Sequence, residues 1–345
     1  MKKILVVVIL VVAVVLGVFS YKVYNVLLVS NTNFSTEREE IFIRTNTSFS
    51  ELLQQLNPFL KNEKTFAEVA RQKGYSTHVK AGRYFLIKGM NNNEIVNTLR
   101  SGNTPVKVAF NNQERLENLA GRISQQIEAD SISLLNAFID KAFLYQNEIT
   151  LPNALSIYLP NTYEFYWNTS AEQFRNRMLK ESQKFWNQDR LQKAQKQGLT
   201  PAQVITLASI VQKETAKEEE RPRVAGVYLN RLKKNMLLQA DPTVIFGVKE
   251  QTGKYDTIIR RVLHKTLTVN SLYNTYKYSG LPPGPITMPD ITSIEAVLNP
   301  EIHEYYYFVA DTENIGYHKF SRTLEQHTQY SKQYHNWVNL QGIKQ

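Results

Sequence analysis

The residue types that could do chemistry in this chain gather in one stretch, Leu207-Ala-Ser-Ile-Val-Gln-Lys-Glu-Thr215. Just before it, Thr200-Pro-Ala-Gln203 predicts a helix start of the capping-box kind. Threonine takes the N-cap, proline the first helical position, and glutamine can reach back. At about 100° per residue, Val204, Leu207, Ala208 and Val211 share one face and Lys213 lies opposite. Glu214 falls about 20° from Leu207 on the same count. A carboxylate with apolar flanks has a raised pKa, which lets it hold a proton near neutral pH as a general acid must. A glutamate in the last turn of a helix is more often a solvated surface group, so the surroundings of Glu214 decide between the two.

Other chemistries find little support. The six histidines are dispersed without His-Glu-x-x-His spacing, so no catalytic metal is expected. There is no phosphate loop and no dinucleotide fingerprint, and no cofactor is expected. Ser209 lacks both a Gly-x-Ser-x-Gly elbow and a Ser-x-x-Lys arrangement, because Lys213 comes four residues later. The chain has no cysteine, which excludes disulfides, thiolate ligands and a cysteine nucleophile. Carboxylate chemistry or pure binding remains.

These residues must be held by a fold, and 345 residues with 42% hydrophobic and 21% charged content predict two globular units plus an accessory segment. The N-terminus supplies that segment. After Lys2 and Lys3, Ile4 to Ser20 runs 17 residues without a charge, followed by Tyr21 and Lys22. We read residues 1–22 as an uncleaved membrane anchor rather than a cleaved signal peptide, with the paired lysines keeping the N-terminus inside. Everything beyond then lies outside the cytoplasm. The net charge of +10 is therefore not explained by chromosomal DNA, and no nucleic-acid partner is expected.

Residues 23–38 read as a polar tether. A small α/β domain is expected over 39–105, with strands at Ile41–Ile43 and Arg83–Ile87 and helices opened by Ser48-Phe-Ser-Glu51 and Asn91-Asn-Asn-Glu94. A further helix around Phe66, Val69 and Ala70 ends before Gly74. The second domain is expected over 106–345. It opens with a strand at Val106–Phe110 and a helix from Leu116 to Ile123, and continues with helices over Ser131–Phe143 and Ala171–Gln197. The basic residues of the last of these, Arg175 to Lys196, read as a solvated face around a buried aromatic stripe. The aromatic cluster Leu159-Pro-Asn-Thr-Tyr-Glu-Phe-Tyr166 suits either a sugar-stacking surface or an ordinary core wall.

Downstream of Glu214 stand Glu220-Arg221, Val224-Ala-Gly-Val-Tyr-Leu-Asn-Arg-Leu232, Leu238-Gln-Ala-Asp-Pro-Thr-Val244, Tyr273-Asn-Thr-Tyr276 and Gly280-Leu-Pro-Pro-Gly-Pro-Ile286. With the Lys-Glu-Thr stretch, this ordered set resembles the endolytic murein transglycosylases, the YceG-like family, over roughly residues 35–335. The resemblance implies an α+β fold with one transmembrane helix, a LysM-like domain carrying Ala81-Gly-Arg-Tyr84, and a YceG-like catalytic domain. It implies cleavage of peptidoglycan strands between N-acetylmuramic acid and N-acetylglucosamine, leaving 1,6-anhydromuramyl ends and terminating nascent strands.

The catalytic glutamate of the family falls on Glu214, acting as acid and then as base. Asn230, Gln239, Asp241, Thr243, Asn274 and Tyr276 match motif positions, either to bind substrate and orient Glu214 or to hold loops. Gln212 and Asn161 stand where many relatives carry acids, which concentrates the chemistry on Glu214. The implied partners are glycan strands, the cytoplasmic membrane and a cell-wall synthase. The implied location is the bacterial inner membrane, single-pass, with the catalytic domain on the outer side. A non-catalytic peptidoglycan-binding scaffold is the alternative, and retention of Glu214 argues against it.

Overall fold

The structure is a computed structural model and describes residues 2–259, 262 and 264–340. The architecture is mixed α+β, with helices predominating and the strands paired in two-stranded sheets. Helix α1 (Lys2–Leu27) is long and apolar enough to cross a membrane. It continues past Lys22, and Val26 is buried in the core of the first unit. The segment expected as a tether is therefore partly packed. Asn31 and Thr32 are buried, and the Asn31 side chain donates to Asn92 Oδ1 at 2.6 Å and to the Asn62 carbonyl at 2.9 Å. Polar composition marked these residues as loop, but their amides satisfy one another inside the fold.

The first compact unit comprises Met1–Val108, Ser124–Asp130 and Tyr163–Ser170. Strand β1 (Arg38–Ile43) runs antiparallel to β2 (Gly82–Ile87), with Ile41 opposite Tyr84. Helices α2 (Phe49–Leu56), α3 (Glu63–Gln72) and α4 (Asn92–Ser101) close over this pair. Both expected capping boxes form, at Ser48 with Glu51 and at Asn91 with Glu94. The two later segments join the unit through specific contacts that composition does not announce. The Glu128 carboxylate accepts from the Thr45 amide and hydroxyl at 2.7 Å each, and Trp167 packs on Phe42 with centroids 5.0 Å apart.

The second unit holds Ala109–Ile123, Ser131–Thr162 and Ala171–Gln345. Strand β3 (Val106–Phe110) pairs with β4 (Asn161–Phe165), each with residues in both units, and the helices that follow β3 are α5 (Leu116–Ser124), α6 (Ser131–Phe138) and α7 (Lys141–Gln146). Two expected helices are divided by caps. Asp140 opens α7 by accepting from the Phe143 amide at 2.9 Å, and Asn187 separates α8 (Ala171–Phe185) from α9 (Gln188–Lys196). Periodicity runs through such breaks because the capping residue is polar on a polar face.

Helix α10 (Pro201–Glu214) is the axis of this unit, packed against α11 (Arg221–Lys233) and α14 (Ile291–Leu298). Helix α12 (Asp241–Thr252) and the short α13 (His264–Leu267) precede α14. Every residue of α10 from Val204 to Val211 is buried, so it is a central helix rather than the amphipathic one its pattern predicts. Its polar members are accommodated by bonding. Ser209 donates to the Thr206 carbonyl at 2.7 Å and accepts from the Ile286 amide at 3.0 Å. Gln212 Oε1 accepts from the Asp290 amide at 2.5 Å and from Ser293 Oγ at 3.1 Å, which fixes the start of α14 and needs no acid.

The hairpin of β5 (Tyr307–Ala310) and β6 (His318–Ser321) and helix α15 (Leu324–Leu340) complete the unit. Gly226 lets α11 approach the following chain closely, since a Cβ there would lie 2.6 Å from the Glu301 carbonyl. The Thr200 capping box forms as expected. Thr200→Ala should lower unfolding stability by about 1 kcal/mol in denaturant titration, with no change at the far end of α10.

Candidate active site

Helix α10 ends on Glu214, and the chain turns there into an extended Thr215. This places the carboxylate at a helix terminus facing outward from a buried element. It lines a cleft of about 240 Å³ with Tyr228, Arg231, Gln239, Asp241, Tyr276 and His327 among its walls and Phe308 on the hairpin side. The glutamate is enclosed by protein on most sides yet keeps an opening on the cleft. A general acid requires that combination of dehydration and access.

The electrostatics follow from the enclosure. Burial pushes the Glu214 pKa up to about 7, against a hydrogen bond from Tyr228, with Asp241 adding to the rise and His318 and Arg231 opposing it. The Tyr228 hydroxyl donates to Glu214 Oε1 at 2.5 Å, and burial together with the adjacent carboxylate holds the phenol itself well above its usual pKa. Tyr228 therefore stays a neutral donor, and Oε2 is left to carry the acid proton. On the second carboxylate of the cleft, Asp241, Oδ1 accepts from Tyr276 at 2.6 Å.

Six positions were expected around Glu214, and the structure divides them. Gln239, Asp241 and Tyr276 line the cleft. Asn230, Thr243 and Asn274 do not, and each holds a loop. Asn230 donates to the His303 and Tyr305 carbonyls at 2.8 and 3.1 Å, supporting the chain that leads into β5. Thr243 is buried and shares a 2.8 Å hydrogen bond with Thr275. Asn274 is buried and donates to the Leu267 and Val269 carbonyls at 2.8 and 2.9 Å. Asp241 is the first residue of α12, with Pro242 inside the first turn.

Three residues of the cleft carry no signal that singles them out in sequence. Tyr228 and Arg231 lie three apart on one face of α11, inside a motif whose Asn230 drew attention instead. Arg231 is buried, and its guanidinium binds the Tyr306 carbonyl at 2.6 Å and the Leu238 carbonyl at 2.7 Å. It thereby ties the residue leading into β5 to the loop before α12. His327 arrives from α15, stacked on Tyr307 at 5.3 Å, and burial and Arg231 hold its pKa below the usual histidine value. Behind Phe308, His318 Nδ1 lies 2.7 Å from Glu220 Oε2. Burial pushes Glu220 up, but its bonds from the His318 ring and amide outweigh this and hold it below the usual carboxylate range.

A larger cavity of about 570 Å³ lies at the opposite end of α10, bounded by Leu281–Pro283 and Thr200, with no carboxylate or imidazole among its walls. The smaller cleft holds Glu214, Asp241 and His327 together. Among the described residues no cluster of three or more histidine, aspartate or glutamate side chains is placed to hold a metal ion.

Fold and cleft together define a class of α+β protein with a polar groove in which one carboxyl group, Glu214, is raised to a pKa of about 7. The YceG-like family pattern matches residues 41–333, and the chain belongs to that family. It is 32% identical over 295 residues to the endolytic murein transglycosylase of Bacillus subtilis, covering 81% of this chain and 79% of that protein. It is 30% identical over 280 residues to the endolytic murein transglycosylase of Streptococcus pneumoniae serotype 2, covering 73% of this chain and 50% of that longer protein. Its fold is similar to the crystal structure of a yceG-like protein from Listeria monocytogenes, with TM-score 0.56, 30% identity, and coverage of 86% of this chain and 99% of that one.

The opposing influences on Glu214 separate by mutation. Tyr228→Phe should raise its pKa above about 7 and Asp241→Asn should lower it, read by carboxyl carbon-13 NMR of glutamate-labelled protein. Stability should follow. The folded pKa of about 7 exceeds the ordinary 4.5, so the native state binds the extra proton between these values and stability falls as pH rises through them. Glu214→Gln escapes that loss and should unfold at a higher temperature than wild type above pH 7.

Proposed function

We propose that this chain is a lytic transglycosylase that cleaves the glycosidic bond between N-acetylmuramic acid and N-acetylglucosamine within peptidoglycan strands. The observation that carries the reading is a single dehydrated glutamate, with a pKa of about 7, at the opening of a polar cleft in a YceG-like fold. The named activity of the Bacillus and Streptococcus relatives supports it.

Glu214 Oε2 gives its proton to the glycosidic oxygen, and the bond to the muramyl anomeric carbon breaks as that oxygen leaves with the N-acetylglucosamine residue. The carboxylate then removes the proton from the muramyl 6-hydroxyl, whose oxygen bonds to the anomeric carbon. The product is the 1,6-anhydro ring, and Glu214 regains its proton without water being consumed. The Tyr228 hydrogen bond holds Oε1 through both steps, so one oxygen does the proton transfer. Asp241, held by Tyr276, supplies negative charge where the anomeric centre becomes positive. Gln239 offers an amide to sugar hydroxyls.

In this reading α1 anchors the chain in the cytoplasmic membrane, single-pass, with the remainder on the outer side. Residues 39–105, with the segments 124–130 and 163–170 that pack on them, act as a LysM-like domain, and the rest of 106–345 acts as the catalytic domain. Cutting near the membrane would terminate nascent strands beside a cell-wall synthase. The test uses full-length protein in detergent with purified glycan strands, counting anhydromuramyl ends by mass spectrometry. Wild type should produce them, and Glu214→Gln should lower their rate at least about 10³-fold. Equal yields from the two proteins would refute the role of Glu214.

A further inference from the structure

Lys213 is the member of the Lys-Glu-Thr motif that the proton chemistry leaves unused. Its ammonium lies 2.7 Å from Glu114 Oε1. Lys249 of α12 reaches Glu114 Oε2 at 3.2 Å, with its side chain only 14% exposed. One carboxylate thus serves two ammonium groups. Burial pushes Glu114 up, but the two lysines outweigh this and hold it below the usual carboxylate range. A partly buried cation that shares its counter-ion gains from a second carboxylate.

The three groups line a cavity of about 320 Å³ that also has an apolar wall of Phe246, Ile286 and Tyr255. The Arg115 guanidinium stacks 4.0 Å from the Tyr255 centroid and steadies that wall. Asp256 stands exposed at the rim. The cavity and the catalytic cleft are lined by consecutive residues of α10 and of α12. Lys213 lines the cavity and Glu214 the cleft, while Pro242 lines the cavity and Asp241 the cleft. A branch on a sugar bound at Glu214 therefore starts one residue away from the cavity's lining on both helices.

We infer that this cavity binds the short peptide branch that muramic acid carries, making it a specificity site for peptide-bearing strands. The inference rests on the proposed activity. Such a branch offers ionised carboxylates to Lys213 and Lys249, alanine methyls to Phe246 and Ile286, and an amine to Asp256. Sugar hydroxyls alone would leave the paired lysines without a ligand matched to their charge.

The experiment compares intact strands with strands stripped of peptide by an amidase, using full-length wild type, Lys249→Gln and Glu114→Gln in detergent. Wild type should cut intact strands with a KM roughly tenfold below that for stripped strands. Lys249→Gln should abolish that preference while keeping the wild-type rate on stripped strands, which also reports that the variant is folded. Glu114→Gln, which frees both lysines, should widen the preference. Equal KM values for the two substrates in wild type, or an unchanged preference in Lys249→Gln, would overturn the inference and leave the activity standing. No anhydromuramyl ends from wild type on either substrate would overturn the activity and the inference together.

Discussion

The dehydration of one carboxyl group is the constraint on which the rest of the second unit depends. Glu214 stands at the end of a helix buried from Val204 to Val211, so the core sets where its backbone ends. The surroundings must withhold enough water to keep the proton on near neutral pH and still hold the group still. Tyr228 does the second without undoing the first. As a buried neutral phenol it fixes one oxygen of Glu214, and its lowering effect on the pKa is smaller than the rise caused by burial. A strongly buried acid of this sort costs stability once ionised, a familiar exchange of stability for function.

The cleft walls depend in turn on Arg231, whose charge is largely used internally. It binds carbonyls on both sides of the opening, at Tyr306 and at Leu238, and the next residue, Gln239, adopts a left-handed backbone with φ 52°. The Gln239 amide donates to the Thr275 carbonyl at 3.1 Å, which registers the loop before α12 against the segment that carries Tyr276. Asn230, Thr243 and Asn274 hold the flanks of the same assembly. Much of the motif pattern is scaffolding for three residues that face the cleft.

The sequence was informative where local rules operate. The capping boxes at Ser48, Asn91 and Thr200 all form, and the strand Val106–Phe110 has the expected limits. Periodicity put Glu214 beside Leu207 at the end of a well-capped helix, and the resemblance carried by the downstream motifs singled it out. What escaped is long-range. His327 comes from α15, far along the chain, and nothing local says it meets Glu214. The central burial of α10 was hidden because Thr206 and Ser209 look like a polar face, although both are bonded inside the core. Motif membership also could not separate Asp241, which lines the cleft, from Thr243 two residues later, which helix geometry turns inward.

The most direct test of the central claim is the pH dependence of kcat/KM for anhydromuramyl end formation by the full-length protein. A single glutamate that must begin protonated predicts an alkaline limb centred at about 7, falling tenfold per pH unit beyond it. A rate that stays constant between pH 5 and 9 would contradict the account, because no group in the cleft would then be delivering the proton that Glu214 is held to carry.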